Sequence, residues 1–394
     1  MLKNIVVGIS GGVDSAVTAL LLKKKGFNVV GVFMKNWDII NEKGICLAEQ
    51  DYNDAKKVCE KLDIPLFQVN FVKEYWNNVF STLLEKYQSG STPNPDIICN
   101  KNIKFDHFIN LAQTKFHADA VATGHYVRTS FGPYLENFKP HTNVLMLKAL
   151  DPNKDQTFFL SQVSQRSLRY CMFPLGEYFK SDVKKIAREA GLIEIAEKKE
   201  SMGICFVGKR EFQHFISEYI ENKDGDFVDL DNGKVVGRHQ GIHHWTIGQR
   251  CRISGLTDPY FVFQKNLQTN IITVVKGTNH PALYTDLLMT KNPHWIAGEP
   301  PELTNSERIF ICDFRFQHRK PLTVCNVFKT LNNHLIIQLS KPLRAITIGQ
   351  YAVLYSGQLC LGSAEITYPG PSYFALGQDI NVLENNIKKK LAHS

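Results

Sequence analysis

The sequence predicts an α/β protein, with a doubly wound parallel sheet in its first half and one or two small β-rich modules after it. Two observations carry this. Up to about residue 205, short apolar β-branched runs alternate with stretches of helical period, the βαβα order that builds a parallel sheet. Beyond Phe206, the turn signals "KDGD", "DNGK", "KGTNHP" and "YSGQ" separate short β-rich segments. At 394 residues the chain exceeds the usual size of one hydrophobic core, and the expected units are 1–205, 206–283 and 284–394.

Taken in order, "NIVVGIS" reads as a buried strand, Asp14 to Lys25 as a helix and "NVVGVF" as a second strand. Glu49 to Leu62 is a helix with Ala55, Val58, Cys59 and Leu62 on one face, and "PLFQVNF" is a third strand. Glu74 to Tyr87 follows as a helix turning Trp76, Val79, Phe80, Leu83, Leu84 and Tyr87 inward. Another helix covers Lys101 to Lys115, and "ADAVATGH" is a strand running into a turn. Ser181 to Gly191 has a serine at the N-cap position, apolar residues at helical spacing and a terminal glycine.

Composition narrows the class. With 43% hydrophobic and 21% charged residues the chain is globular, neither disordered nor fibrous. No apolar run approaches the roughly 20 residues that span a bilayer, so no membrane partner is expected. The first strand begins near Ile5, and no leader is expected ahead of it. Nine cysteines form no CxxC pair, which argues against a zinc ribbon or a thioredoxin motif, and neither zinc nor an Fe–S cluster is expected. Their odd number fits reduced thiols in a reducing compartment. The formal charge is +8, and seven of the cations (Arg308, Arg315, Arg319, Lys320, Lys329, Lys341, Arg344) share one window with the single acid Asp313. "RIFICDFRFQHRKPLTVCNVF" interleaves Arg and Phe there, which suits either a phosphate-tracking surface with stacking side chains or an edge strand guarded by charge.

Three short stretches carry chemistry. "GISGGVDS" lies between strand and helix, where unpaired N–H groups and the helix dipole favour an anion. Gly11 and Gly12 permit close backbone approach, and Ser10 and Ser15 bring hydroxyls. Asp14 is awkward beside a bare phosphate and makes sense if a divalent cation, Mg²⁺, sits between them. The loop matches neither the Walker nor the dinucleotide pattern, and a ligand-free strand-to-helix turn is the alternative. "TPNPDIICNKNIKF" places Asp96 as a helix cap and Cys99 in or near the first turn, where a thiol's pKa falls; Lys101 or Lys104 would help. A buried structural cysteine beside Ile97 and Ile98 is the other reading. In "KKESMGICFVGKR", Cys205 sits between Gly203 and Gly208, either as core or as a mobile reactive thiol.

"SGGVDS" resembles the PP-loop of ATP pyrophosphatases, which cleave between the α- and β-phosphates of ATP. With "GVFMKNWD", "EYWNNVF", "TPNPDIICNKNIKF", "ATGHYVR", "NKDQTFFLSQ", "GICFVGKR", "TIGQR", "HPALY" and "IGQYAVLYSGQLCLG", the chain resembles the tRNA-specific 2-thiouridylase family along nearly its whole length. "KKESMGICF" is nearer the mitochondrial members of animals, so that resemblance implies a mitochondrial location, with the cytoplasm as the alternative.

The resemblance implies an adenine nucleotide alpha hydrolase-like PP-loop domain, a small central domain and a C-terminal β-barrel. It implies sulfur insertion at C2 of the wobble uridine, in tRNAs for lysine, glutamate and glutamine. Carried over, Gly8, Ile9, Ser10, Gly11, Gly12, Val13, Asp14, Ser15, Met34 and Gly124 would contact ATP. Asn94, Pro95 and Asp96 would meet the target base, with Asp96 as acid or base. His125, Lys154, Asp155, Gln156, Arg315, Phe316 and Gln350 would touch tRNA. Cys205 would carry a persulfide from a donor protein, and Cys99 would free its sulfur, leaving a disulfide for a thiol reductant. Whether sulfur attacks as hydrosulfide or as persulfide stays open. A PP-loop synthetase acting on a small substrate and a non-catalytic tRNA-binding module are the rivals. The first leaves both cysteines unexplained, and the second leaves an intact nucleotide loop idle.

Overall fold

The computed structural model describes residues 2–37, 47–199, 207, 211–304 and 309–378. Cys205, Glu200, Met202 and Arg308 lie outside the described residues. The first half forms β1 (Asn4–Gly8), β2 (Asn28–Lys35), β3 (Leu66–Asn70), β4 (Ala120–Ala122), the hairpin β5 (Val127–Thr129) and β6 (Met146–Lys148), and β7 (Cys171–Met172). Five of these pair in the order β3-β2-β1-β4-β7, every neighbour parallel. The order reverses at β1, because the chain goes to β2 on one side and to β4 on the other. The turn after Gly8 therefore lies at the topological switch point, where open α/β sheets bind their ligands.

Helices cover the sheet. α1 (Val13–Lys24) is buried along most of its length, and α2 (Leu47–Leu62) turns Ala55, Val58, Cys59 and Leu62 inward as its period predicts. The helical run 72–88 contains a π turn at Trp76–Phe80. Such a turn inserts an extra residue and rotates the faces, so Trp76 is not inward as the period suggested. It is 40% exposed and stacks on Trp37, 5.5 Å away, while Val79 and Phe80 enter the core. The run 95–116 has a similar turn at Asn100–His107.

Two caps differ from expectation. Asn94, not Asp96, caps the run 95–116, its Oδ1 accepting from the Ile97 N–H at 3.3 Å. The helix expected to start after Ser181 spans Lys180–Glu189. The Asp151 carboxylate accepts from the Lys180 N–H at 3.0 Å, so a distant acid does the work of a serine cap.

The second half forms two β modules. Strands β8 (Gly225–Asp229), β9 (Val235–His239), β10 (Arg250–Cys251), β11 (Tyr260–Asn266) and β12 (Ile271–Lys276) pair in the order β10-β11-β12-β8-β9 around Phe227, Val262, Ile272 and Val274. Next come β13 (Tyr284–Thr290), β14 (His294–Trp295), β15 (Phe310–Arg315), β16 (Thr323–Lys329), β17 (Leu335–Arg344), β18 (Tyr351–Ser356) and β19 (Leu359–Tyr368). The order β13-β17-β16-β15-β18-β19 closes into a six-stranded barrel through pairing of β13 with β19.

The barrel is not an appendage. β6 pairs with β19, so a hairpin of the first half continues the barrel's sheet. β18 is buried on both faces: Ala352 and Leu354 fill the barrel, while Tyr351, Val353 and Tyr355 join the core of the first half. The Arg/Phe alternation expected to offer stacking rings resolves by strand period. Phe310, Phe314 and Phe316 point into the barrel and are 8%, 0% and 3% exposed, so they are packing, not a stacking platform. No helix among the described residues is long and apolar enough to cross a membrane.

Candidate active site

β1 delivers its chain into a turn that only glycine can make. Gly11 has φ +73°, and a Cβ there would lie 2.4 Å from the Asp51 carbonyl oxygen. Gly12 stands at the N-cap of α1, and no side chain among the described residues caps that helix. Its first N–H groups are thus left for an anion, with the dipole adding to the attraction. Ser15 is 4% exposed and braces the loop: its hydroxyl donates to the Gly12 carbonyl, accepts from the Ser10 N–H and meets the Ser10 hydroxyl, each at 3.1 Å. Ser10 is the exposed hydroxyl of the two.

The lysine absent from the loop arrives from elsewhere. Lys180 Nζ lies 2.6 and 2.7 Å from the two carboxylate oxygens of Asp14, and the Tyr126 hydroxyl donates to the same carboxylate at 2.7 Å. On the other side, Lys198 Nζ binds Asp54 at 2.6 Å and Asp51 at 2.9 Å, and reaches the Gly11 carbonyl at 3.5 Å. Gly124 packs against the start of α1, where a Cβ would fall 2.7 Å from the Ser15 nitrogen. The Met34 methyl lies 3.3 Å from where a Gly8 side chain would begin. The fold thus gathers the expected nucleotide residues at one carboxyl edge of the sheet. Lys180, which no local pattern marks, and Tyr126 of "ATGHYVR" meet them there through Asp14.

The second group sits on the run 95–116. Pro95 opens it with the φ that a first helical residue needs. Cys99, 6% exposed, closes the first turn. Asp96 is open to solvent yet surrounded by protein, and that crowding raises its pKa, with Lys104 and His318 pulling it back. His125 is held neutral, its pKa far below the ordinary value because of burial and the nearby charge of Lys104. Its Nδ1 meets the Thr123 hydroxyl at 2.9 Å. Of the two lysines expected near Cys99, Lys101 is tied to Gln162 at 3.2 Å, whereas Lys104 acts on both Asp96 and His125.

The remaining expected contacts meet where the barrel docks. Gln350 donates to the carbonyls of Thr92 and Pro93 and accepts from Asn94. Asp155 is 4% exposed and pairs with Arg315 Nη2 at 3.2 Å, while Thr157 donates to both its oxygens. Arg315 also bonds the Tyr355 hydroxyl and lies over its ring. Gln156 accepts from the Tyr126 N–H at 2.8 Å, and Lys154 is half-buried beside it. Phe316 is packed inside the barrel. Most of this set faces protein, joining barrel to first half.

The basic window is less charged than its composition. Lys329 is offset by Glu299 at 2.7 Å and Arg315 by Asp155, both acids outside the window. What remains is a cleft of about 610 Å³ between the central module and the barrel, lined by Lys320, Lys341 and Arg344 among others. Arg344 bridges its two walls through the Gly248 and Thr278 carbonyls, each 3.0 Å away.

Three family models match in sequence: the "tRNA methyl transferase HUP domain" over residues 3–209, the "tRNA methyl transferase PRC-barrel domain" over 213–276 and the "Aminomethyltransferase beta-barrel domain" over 285–366. The chain is 50% identical to "Mitochondrial tRNA-specific 2-thiouridylase 1" of Drosophila melanogaster, covering 94% of this chain and 95% of that one. It is 47% identical to the Homo sapiens protein of the same name, over 95% and 93%. It is 45% identical to the tRNA-specific 2-thiouridylase of Staphylococcus aureus (strain JH9), over 92% and 95%. At that identity over that length, the chain belongs to the tRNA-specific 2-thiouridylase family.

Proposed function

We propose that this protein is a tRNA-uridine 2-sulfurtransferase. It uses ATP to adenylate C2 of the wobble uridine in tRNA and then replaces that oxygen with sulfur, yielding 2-thiouridine, AMP and pyrophosphate. The animal relatives are named mitochondrial, and this chain works in that compartment. The observation that carries the reading is a juxtaposition. A glycine loop fit for phosphates and a helix bearing Asn94, Asp96 and Cys99 belong to one domain, with Gln350 of the barrel pinning the loop that starts that helix.

The uracil C2 oxygen attacks the α-phosphorus, and pyrophosphate leaves toward the N-terminus of α1 and Lys180. Gly8 to Ser15, Met34 and Gly124 hold the nucleotide. Mg²⁺ is commonly held by one or two carboxylates together with substrate phosphates. Asp14 would hold the ion only by giving up Lys180, which now binds both of its oxygens, and the ion would then supply charge neutralisation at the departing pyrophosphate.

Cys205 brings sulfane sulfur from a persulfide donor protein. Cys99 attacks the inner sulfur of the Cys205 persulfide and leaves a Cys99–Cys205 disulfide; the outer sulfur, at the sulfide level, goes to C2, either as hydrosulfide released first or from a persulfide already joined to C2. AMP departs with the old oxygen, and a thiol reductant resets the pair. Asp96, its pKa raised by the protein crowded around it, moves the proton at the base. A base attacked at C2 must leave its stack, so Asn94, Pro95 and Asp96 receive a flipped uridine. His125, Lys154, Gln156 and Gln350 lie toward the tRNA side, while Asp155, Arg315 and Phe316, buried behind them, hold that side in shape. The work divides among 1–205, 206–283 and 284–394, and the substrates are the tRNAs for lysine, glutamate and glutamine.

The test incubates the full chain with ATP, a persulfide donor and unmodified tRNA, followed by mass analysis of nucleosides. Cys99→Ser and Cys205→Ser should each abolish 2-thiouridine while ATP and tRNA still bind. Full activity in either variant sinks the two-cysteine route. AMP formation without thiolated uridine, even in the wild type, favours a synthetase instead.

A further inference from the structure

Beside the loop that carries Asn94 and Asp96 lies a cavity of about 730 Å³, within the range of small-molecule sites, that none of the chemistry above uses. It lies between the helical run 72–88, the start of helix Phe212–Ser217 and the segment 243–252 of the central module. The Thr246 hydroxyl on its wall meets the Thr92 hydroxyl at 3.3 Å, two residues before Asn94.

The lining combines three chemistries. Tyr87 and Phe212 pair as rings 5.2 Å apart, and Trp245 supplies a third aromatic wall. Arg250 and Arg252 are exposed among the lining residues, while Glu211 is the one acid there, so the lining is net cationic. His243 is 5% exposed, and its Nε2 has no hydrogen-bond partner among the described residues; the Trp245 Nε1 is in the same state. Both nitrogens are sealed from solvent, so they stand behind the cavity wall and fix its shape, and the groups that face its contents are the rings and the arginines. Burial holds His243 and His244 neutral, and His244 Nε2 is engaged by the Ser217 hydroxyl at 2.9 Å, so the pair brings polar edges to the wall and no charge. Aromatic walls, neutral hydrogen-bonding edges and a guanidinium pair together suit a nucleotide: ring faces for a base, arginines for its phosphate.

We propose that this cavity receives the tRNA nucleotide next to the thiolated uridine, and that it thereby takes part in choosing among tRNAs. The proposal rests on the sulfurtransferase reading. Flipping the uridine onto Asn94 and Asp96 strips its neighbour of a stacking partner, and the cavity restores one on Phe212. Phosphate contacts at Arg250 and Arg252 set position without reading sequence, while Gln249 and the half-buried His244 on the wall meet the base.

The experiment uses the full-length protein and anticodon stem-loop RNAs that carry either the natural neighbour or an abasic residue there. With the wild type, the abasic RNA should bind roughly 10-fold more weakly, the scale of one lost stacking contact. Phe212→Leu should weaken binding of the intact RNA similarly and add little further loss on the abasic one. Arg250→Ala with Arg252→Ala should flatten the salt dependence of binding by roughly 0.7 per contact in log–log slope. These arginines are exposed, so their loss should leave folding intact, which melting would confirm. If the wild type thiolates the intact RNA but the abasic neighbour costs nothing, or the two losses simply multiply, the cavity proposal alone is overturned. If the wild type does not thiolate at all, the sulfurtransferase reading fails and this proposal with it.

Discussion

Gln350 and Asn94 stand 256 positions apart in sequence and share a hydrogen bond of 3.3 Å, while Gln350 Nε2 donates to the Thr92 carbonyl at 2.9 Å and the Pro93 carbonyl at 3.3 Å. One amide of the barrel thus holds both the backbone of the "TPNP" turn and the side chain that caps its helix. Asn94 is thereby committed on two sides, to Gln350 and to the Ile97 N–H.

Removing that amide should loosen the turn without unfolding the domain. Each neutral hydrogen bond contributes about 0.5–1.5 kcal/mol, so Gln350→Ala should lower thiolation kcat/KM by roughly 10-fold. Gln350→Glu should do no better, because a carboxylate has no donor for the two carbonyls. Rates on unmodified tRNA check this. A fully active Gln350→Glu would mean that the donor half of the amide is idle.

The Lys180–Asp14 pair yields a second expectation. Lys180 is 11% exposed at its side chain and supplies positive charge where a Walker-type loop would carry its own lysine. Lys180→Met leaves the Asp14 carboxylate uncompensated beside the place proposed for the phosphates. Charge-assisted bonds are worth about 1.5–3 kcal/mol, so AMP formation should fall about 100-fold, with Lys180→Arg restoring part of it. Pyrophosphate release measured on all three proteins decides, and an unimpaired Lys180→Met would assign the lysine to structure alone.

Lys180 also shows where the sequence stops being readable. The parallel sheet and the glycine loop follow from local periodicity and turn chemistry, and both stand where those signals put them. Lys180 carries no such signal, because its meeting with Asp14 is made by two helices packing on one sheet. The π turns at Trp76–Phe80 and Asn100–His107 break the period from which the inward face was read, and so Trp76 was misplaced. The Arg/Phe alternation in β15 could be read as a phosphate-tracking surface or as an edge strand guarded by charge, and β15 is neither, since it pairs with β16 on one side and β18 on the other. Only closure of the barrel, a pairing between β13 and β19, decides that the rings go in. The paired acids that offset Arg315 and Lys329 lie 160 and 30 positions away, beyond any local charge count.

Acid should weaken the fold through its buried imidazoles. His125, His243, His244, His294 and His318 all have pKa values below the ordinary 6.5, burial being the main cause, and that of His243 falls to about 4. The unfolded chain then binds more protons than the folded one below pH 6.5, so stability declines as pH falls from there toward 4. Melting temperature should drop across that window, and His243→Gln should make the drop shallower. A His243→Gln curve parallel to the wild type would show that this ring titrates normally.

The Asp155–Arg315 pair should reveal which partner matters more. Both are nearly buried, at 5% and 10% side-chain exposure, and removing one partner of a buried pair typically costs about 3–5 kcal/mol. The two losses are unequal. Asp155 also accepts from the Ala149 N–H at 3.2 Å and from the Thr157 hydroxyl at 3.0 and 2.9 Å, so its carboxylate keeps partners when Arg315 goes. Arg315 keeps the Tyr355 hydroxyl and ring if Asp155 goes, but its Nε already has no partner among the described residues. Asp155→Ala should therefore cost the full range and Arg315→Met less, with the double variant milder than the sum of the two. Unfolding of the four proteins gives the cycle. Strict additivity would mean that the ion pair contributes nothing to docking the barrel on the nucleotide domain.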